Sequence, residues 1–333
     1  MVDAILASRQ FDPASVHIFV ENARFAKLFQ DFSCTVIDDT RLVGQKNIPG
    51  NLKLVMAQIG SHMTLWVSDI LWPMNNAVYT AMWRGDKLEH VNFFDEGIVL
   101  YWQERLSLFS SIRERAKFVI LALRLGVRFT TPAARPFYDN RKNGATYALH
   151  PELLSHTDNV IALDIDLART VALVKKMEAE RTGKEKSVIN IAENAALVLS
   201  QPYYRVADAD EFKHKIGGLA RLLRERGHEQ LFVKPHPSEG EDIFNRFYRD
   251  EGFEIAYGDL VSPVEGIVQH LRPSCTLASF NSSALLNARK FGFRGHILSY
   301  GLNWVAAQYP MQRNLQRLNH SLFLRGNLEV VLA

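Results

Sequence analysis

Short apolar runs alternate along the chain with longer stretches of helical period. The runs His17–Glu21, Thr35–Asp38, Thr64–Ser68, His90–Phe94, Asn159–Ala162, Ala196–Ser200, Gln230–Lys234 and Thr276–Phe280 read as strands. Asn22–Asp31, Ile112–Leu125 and Asp210–Arg226 read as helices. Alternation of this kind predicts an α/β fold with parallel sheets. The stretch Asp166–Glu193 breaks the rhythm with a Lys- and Glu-rich helix, VALVKKMEAERTGKEK, and a fresh strand follows it. It reads as a connector, so the expected domains are 1–185 and 186–333. The start is unusual. Val2–Gln10 already reads as a helix, where a doubly wound domain opens on a strand. Either the first strand is missing from this chain or the topology begins differently.

Composition narrows the class. With 333 residues, 47% hydrophobic and 23% charged, the chain is globular, which excludes disorder or a collagen-like repeat as its main character. The two cysteines, Cys34 and Cys275, lie far apart and form no CxxC or Cys/His cluster, so neither a disulfide framework nor zinc is expected. A reducing, cytoplasmic setting follows as the expectation. A net charge of +3 is well short of a dedicated nucleic-acid binder. No apolar run reaches the ~20 residues needed to cross a bilayer. The longest, Phe118–Gly126, is interrupted by Arg124. The N-terminus, MVDAILASRQFDP, is too short and polar for a signal peptide. A soluble or peripheral protein is expected.

Three short motifs carry chemistry. In Phe93-Phe94-Asp95-Glu96-Gly97 a strand ends in two acids and a glycine. Ligands of open α/β sheets bind beyond the carboxyl ends of strands, where an acid can serve as general base. The same residues also make an ordinary strand-to-loop turn. Leu231–Pro237 runs a strand into Lys234-Pro235-His236-Pro237. The prolines stiffen the backbone around a histidine that can donate to a phosphate, and the plain alternative is a strand terminator. In Ser279–Leu286 a strand ends at Asn281-Ser282-Ser283 and a helix begins. A helix N-terminus with two hydroxyls suits an anion, and serine is equally a common N-cap. Glu265, in Ser262-Pro263-Val264-Glu265, could accept from ribose hydroxyls or simply open a helix. Asn75 and Asn76, in Trp72–Asn76, are candidates for holding an acceptor sugar or parts of a plain turn. Arg113, Arg115, Lys117, Arg124 and Arg128 form a basic face that could steer a polyanion, rest on an anionic membrane, or be simply solvated. The DxD patterns Asp164-Ile165-Asp166 and Asp208-Ala209-Asp210 read as caps, and no histidine pair has metal-ligand spacing.

The ordered triple Asp95-Glu96-Gly97, His236-Pro237 and Ser282-Ser283 resembles the bacterial sialyltransferases of the GT-B fold. The stretch Arg128–Glu152, with Tyr138-Asp139-Asn140 and Tyr147-Ala148-Leu149, is most similar to the capsule polysialyltransferases, with lipooligosaccharide sialyltransferases as near relatives. The resemblance implies two Rossmann-like domains facing across a cleft. It implies inverting, metal-independent transfer of sialic acid, or a related nonulosonic acid, from a CMP-sugar to a glycan hydroxyl. No cofactor is implied beyond the donor. By resemblance Asp95 is the general base, with Glu96 and Gly97 completing its turn. His236 acts on the departing phosphate. Lys234, Pro235, Pro237, Glu265, Asn281, Ser282 and Ser283 form the donor side, with Glu265 at the ribose. Expected partners are the CMP-sugar and an oligosaccharide, extending to lipid-linked or polyanionic glycans, with peripheral association at the inner face of the inner membrane and no nucleic acid. Two other readings stay open: another GT-B enzyme or a CDP-dependent phosphotransferase of envelope polymers, and a catalytically silent glycan-binding component.

Overall fold

The computed structural model describes residues 11–20, 26, 29–38, 45–69, 72–95, 98–101, 104–105, 108–130, 134–135, 143–154, 159–169, 172–173, 191, 193–236, 239–256, 264–268, 271–308 and 313–332. The opening helix expected over Val2–Gln10 lies outside these residues, as does most of the one expected over Asn22–Asp31. Contacts divide the chain into two α/β units, Met1–Asp164 and Ile165–Ala333. The division falls earlier than residue 185. Leu167 already packs onto the second unit, with its Cδ1 at 3.3 Å from where a Cβ on Gly292 would sit.

Unit 1 runs β1 (His17–Val20), β2 (Ser33–Val36), α1 (Ile48–Gln58), β3 (Met63–Val67), α2 (Pro73–Arg84), β4 (Leu88–Phe94), β5 (Glu104–Arg105), α3 (Leu108–Leu125), β6 (Ala134–Arg135), β7 (Asn143–Ala148) and β8 (Val160–Ala162). Strands β3-β4-β7-β8 form one parallel sheet, β1 and β2 a separate parallel pair, and β5 and β6 a short antiparallel ladder. Between β4 and β7 the register slips by one: Val91 faces Asn143, but Phe93 faces Thr146. The Oδ1 of Asn92 fills the gap by accepting from Ala145 N–H at 2.8 Å. A Cβ on Gly144 would collide with that oxygen, so the bulge requires glycine there.

Unit 2 runs β9 (Ala196–Leu199), α4 (Ala209–Glu225), β10 (Leu231–Lys234), α5 (Glu241–Phe247), β11 (Phe253–Ile255), α6 (Glu265–Val268), β12 (Thr276–Ser279), α7 (Ser283–Asn287), β13 (His296–Tyr300), α8 (Leu302–Gln308), α9 (Arg313–Arg325) and β14 (Glu329–Val331). Its sheet is parallel throughout, in the order β11-β10-β9-β12-β13-β14. Counted within the unit this is 3-2-1-4-5-6, the doubly wound order, with its switch point between β9 and β12. Strands β9, β10 and β12 are buried at every position, as helices on both faces demand. Helix α4 shows how the local sequence sets the packing. Asp208 caps it by accepting from the N–H groups of Asp210 (2.9 Å) and Glu211 (3.1 Å). Phe212, Ile216, Leu219 and Leu223 follow at helical spacing and are fully buried against the sheet. Gly227, at φ 87°, turns the chain into β10. Among the described residues no helix is long and apolar enough to cross a membrane.

Candidate active site

In unit 1 the chemistry gathers where β4 and β7 end. The Asp95 N–H extends the ladder, donating to Tyr147 O at 3.0 Å. Its side chain is fully buried. The Oδ2 accepts from the Tyr101 hydroxyl and from Leu149 N–H at 3.2 Å. The Tyr101 oxygen in turn accepts from His150 N–H at 3.0 Å. Burial, then the charge of Asp95, pushes the Tyr101 phenol well above its ordinary range, so it stays a proton donor. His150 Nδ1 and Glu152 Oε1 lie 3.2 Å apart. Glu96 and Gly97 lie outside the described residues.

In unit 2 the motifs meet at the carboxyl edge of the sheet, beside the switch point. Lys234 closes β10 and is buried, with Nζ donating to Pro235 O at 2.9 Å. Pro235 is buried and His236 half-buried. The His236 N–H donates to Glu239 Oε2 at 2.8 Å, and Glu239 N–H donates back to His236 O at 2.8 Å. Burial lowers the His236 pKa, and the positive charges of Arg205 and Lys234 lower it further. The imidazole is therefore held toward its neutral form. Burial raises the Glu239 carboxyl, against the pull of the nearby Ser200 hydroxyl, the His236 N–H, Arg205 and Lys234. The Ser200 hydroxyl pairs with that of Tyr248 at 2.7 Å. Pro237 lies outside the described residues.

Across the switch point, Ser282 is the N-cap of α7, its Oγ accepting from Ala284 N–H at 3.3 Å. The capping role is thus realised, while the hydroxyl proton stays available to donate. Ser283 opens the helix and is partly exposed. Asn281 Oδ1 accepts from Asn319 Nδ2 at 3.1 Å, which ties the loop to α9. The Ser279 hydroxyl donates to Leu199 O at 2.8 Å and that of Ser299 to Phe280 O at 3.0 Å, stapling three strand ends together. Glu265 begins α6, and its side chain lies outside what is described.

The reading of Trp72–Asn76 needs correction. The stretch Trp72–Asn76 is no turn: α2 starts at Pro73, which suits the first position of a helix. Asn76 is fully buried, its Nδ2 donating to Thr130 O at 2.8 Å and its Oδ1 accepting from Thr130 N–H at 2.9 Å. That is a structural staple rather than a sugar contact. Asn75 Nδ2 is likewise engaged, with Asp69 O at 2.7 Å. Both DxD patterns serve locally: Asp208 caps α4, and Asp166 Oδ1 accepts from Arg169 N–H at 3.0 Å. Among the described residues no group of three or more His, Cys, Asp or Glu is placed to hold a metal ion.

Sequence reasoning passed over four residues of these sites: Tyr101, His150, Arg205 and Glu239. Arg205 had a legible signal, since it follows β9, the first strand of the unit, at the edge where such sheets take ligands. It is exposed, and its Nε donates to Tyr204 OH at 3.3 Å.

The protein is a glycosyltransferase of the sialyltransferase class. The sequence model of the alpha-2,8-polysialyltransferase family matches residues 84–296, well over half of the chain and inclusive of Asp95, His236, Ser282 and Ser283, and the chain belongs to that family. No curated protein matches it in sequence. Among solved structures it is similar to a S. aureus MnaA–UDP co-structure, at 11% identity and a TM-score of 0.48, over 96% of this chain and 85% of that one. It is also similar to the alpha/beta-galactoside alpha-2,3-sialyltransferase of the luminous marine bacterium Photobacterium phosphoreum, at 13% identity and a TM-score of 0.49, over 98% of this chain and 94% of that one.

Proposed function

We propose that this enzyme transfers sialic acid, or a related nonulosonic acid, from a CMP-sugar to a glycan hydroxyl, with inversion and without a metal ion, in capsule, lipooligosaccharide or polysialic acid synthesis. The observation that carries the reading is the shared edge of unit 2. His236, after the second strand of the unit, and Ser282 and Ser283, after the fourth, come to the carboxyl edge beside the switch point. The reacting carbon is tertiary and bears a carboxylate, so the transition state is dissociative and negative charge grows on the leaving phosphate. Donors aimed at that charge supply most of the stabilisation. His236, held neutral, donates through one ring N–H, and the Ser282 and Ser283 hydroxyls add to it. Arg205 joins them as a charged partner for the donor's anionic groups. Asp95 takes the proton of the acceptor hydroxyl, and access to its oxygens requires the Tyr101 side chain to swing aside. The GT-B expectation, with the base on one unit and the phosphate groups on the other, belongs to this reading.

The test is CMP release from CMP-sialic acid in the presence of glycan, with and without EDTA. His236→Ala should abolish release, and EDTA should leave the wild-type rate unchanged. Full activity in His236→Ala, or thermal stabilisation by CDP or UDP but not by CMP, would refute the reading.

Helix α3 supports the location we propose, the cytoplasmic face of an anionic membrane, where a lipid-linked acceptor is within reach. Ile112, Val119, Ile120 and Leu123 are 57%, 56%, 62% and 83% exposed. At 3.6 residues per turn they share a sector of about 100°. Arg115, Lys117 and Arg124 are exposed beside them. The helix's one acid, Glu114, is turned in, with Arg113 and Lys117 near its oxygens at 3.6 and 3.4 Å. An exposed apolar sector with a cationic rim fits a headgroup interface. Phosphatidylglycerol vesicles should carry the protein in flotation, neutral phosphatidylcholine vesicles should not, and Ile120→Asp with Leu123→Asp should abolish flotation. Loss of a dimer in that variant, without any vesicle binding by the wild type, would reassign the face to a second copy.

A further inference from the structure

The proposed role of His236 leaves open what aims it. The sequence restrains part of its backbone. Pro235 fixes its own φ, and a residue before proline, as His236 is, is confined to extended ψ. The loose torsions are ψ of Pro235 and φ of His236. They flank a single peptide group, the one whose carbonyl belongs to Pro235 and whose N–H belongs to His236.

Two buried groups of opposite charge take hold of that one peptide. Lys234 Nζ donates to its carbonyl oxygen at 2.9 Å. Glu239 Oε2 accepts from its N–H at 2.8 Å. Both side chains are 5% exposed. The Glu239 N–H returns to His236 O at 2.8 Å, which closes the turn. A trans peptide points its carbonyl and N–H in opposite directions, so the two contacts resist rotation from both sides. Burying a lysine and a glutamate is costly, and an apolar pair of similar volume would pack as well. Among the described residues the Oε1 of Glu239 is also buried without a hydrogen bond, a further cost. Packing alone does not account for the pair.

We infer that Lys234 and Glu239 are positioning residues that clamp the Pro235–His236 peptide and so aim the imidazole at the leaving phosphate. This rests on the proposed role of His236. It also gives Lys234 a task besides the donor contact expected of it, since its ammonium donates to the carbonyl of Pro235.

The experiment measures kcat, donor KM and melting temperature for Lys234→Met, Glu239→Leu, Glu239→Gln and the double variant Lys234→Met with Glu239→Leu, beside His236→Ala. Each apolar single should lower kcat about 10- to 100-fold with donor KM nearly unchanged, because a misaimed group loses rate rather than binding. Glu239→Gln keeps an acceptor and should retain more kcat than Glu239→Leu. The double variant leaves no charge unpaired, so it should melt above either single, yet turn over no faster than the slower one. Recovery of kcat together with melting temperature would show a purely structural pair and overturn the inference. A raised donor KM at unchanged kcat in Lys234→Met would also overturn it, returning Lys234 to the donor. If His236→Ala is dead while all four variants run at the wild-type rate, the clamp alone falls. If His236→Ala is fully active, the reading beneath it falls too.

Discussion

The carboxyl edges of the two sheets make opposite use of the same topological position. In unit 1 the acid is sealed: Asp95 is fully buried and held by Tyr101 and Leu149. In unit 2 the histidine is half-buried, and the peptide that leads into it is held from both sides through its main chain. The difference fits the roles proposed for the two groups. A carboxylate exposed at rest is solvated and weakly basic, whereas a phosphate donor has to meet its ligand on arrival. One site is held by side-chain bonds, and the other by main-chain bonds.

Asp95→Ala should break the contrast most severely. It should lower kcat by about a thousandfold or more, as loss of a general base does. It should also cost stability, since the Tyr101 hydroxyl and Leu149 N–H lose their acceptor, at about 1–3 kcal/mol each. Chemical denaturation beside the rate assay separates the two effects. His236→Asn should lower kcat about a hundredfold with little change in neutral-pH stability. Its pH dependence sharpens the point. The folded pKa of His236 lies below the ordinary 6.5, so the folded state binds fewer protons than the unfolded chain between the two values. Its contribution to stability is full above pH 6.5 and is lost as pH falls through the folded value. Melting curves of His236→Asn should lose that part of the acid slope. Asn76→Ala should reduce stability by roughly 2–3 kcal/mol through its contacts with Thr130 and leave the acceptor KM unchanged. The smallest effect is expected of Tyr101→Phe. With one donor fewer, the Asp95 carboxylate becomes more basic, and the acid limb of the kcat/KM profile should move to higher pH. An unmoved limb would separate Asp95 from the titrating base.

In unit 2 the three central strands were legible. ALVL, LFVK and TLAS are covered on both faces and read as unbroken apolar runs. Strand β7, Asn-Gly-Ala-Thr-Tyr-Ala, was missed because its glycine and asparagine look like loop, and its pairing with β4 and β8, with the oxygen of Asn92 bridging the bulge, is not legible locally. Strands β11 and β14, three residues each, are too short to carry a period, and β13, though an apolar HILSY run, was passed over. The motif residues were found as identities but not as contacts. Nothing in Lys-Pro-His-Pro announces that Glu239 folds back onto it, and nothing in Asp-Glu-Gly announces Tyr101.

The bulge at Gly144 reaches further than its size. Side chains of β7 alternate with a period of two, so the extra residue sets the phase of everything after it, including the Leu149 N–H that meets Asp95. Trimming a single amino acid from 143–145 would turn Tyr147 onto the opposite face and carry that amide out of step with the acid. Among relatives, then, the count of residues from Asn143 to Leu149 should be held more strictly than their identities, and a one-residue gap there would mark a lineage that has abandoned this arrangement.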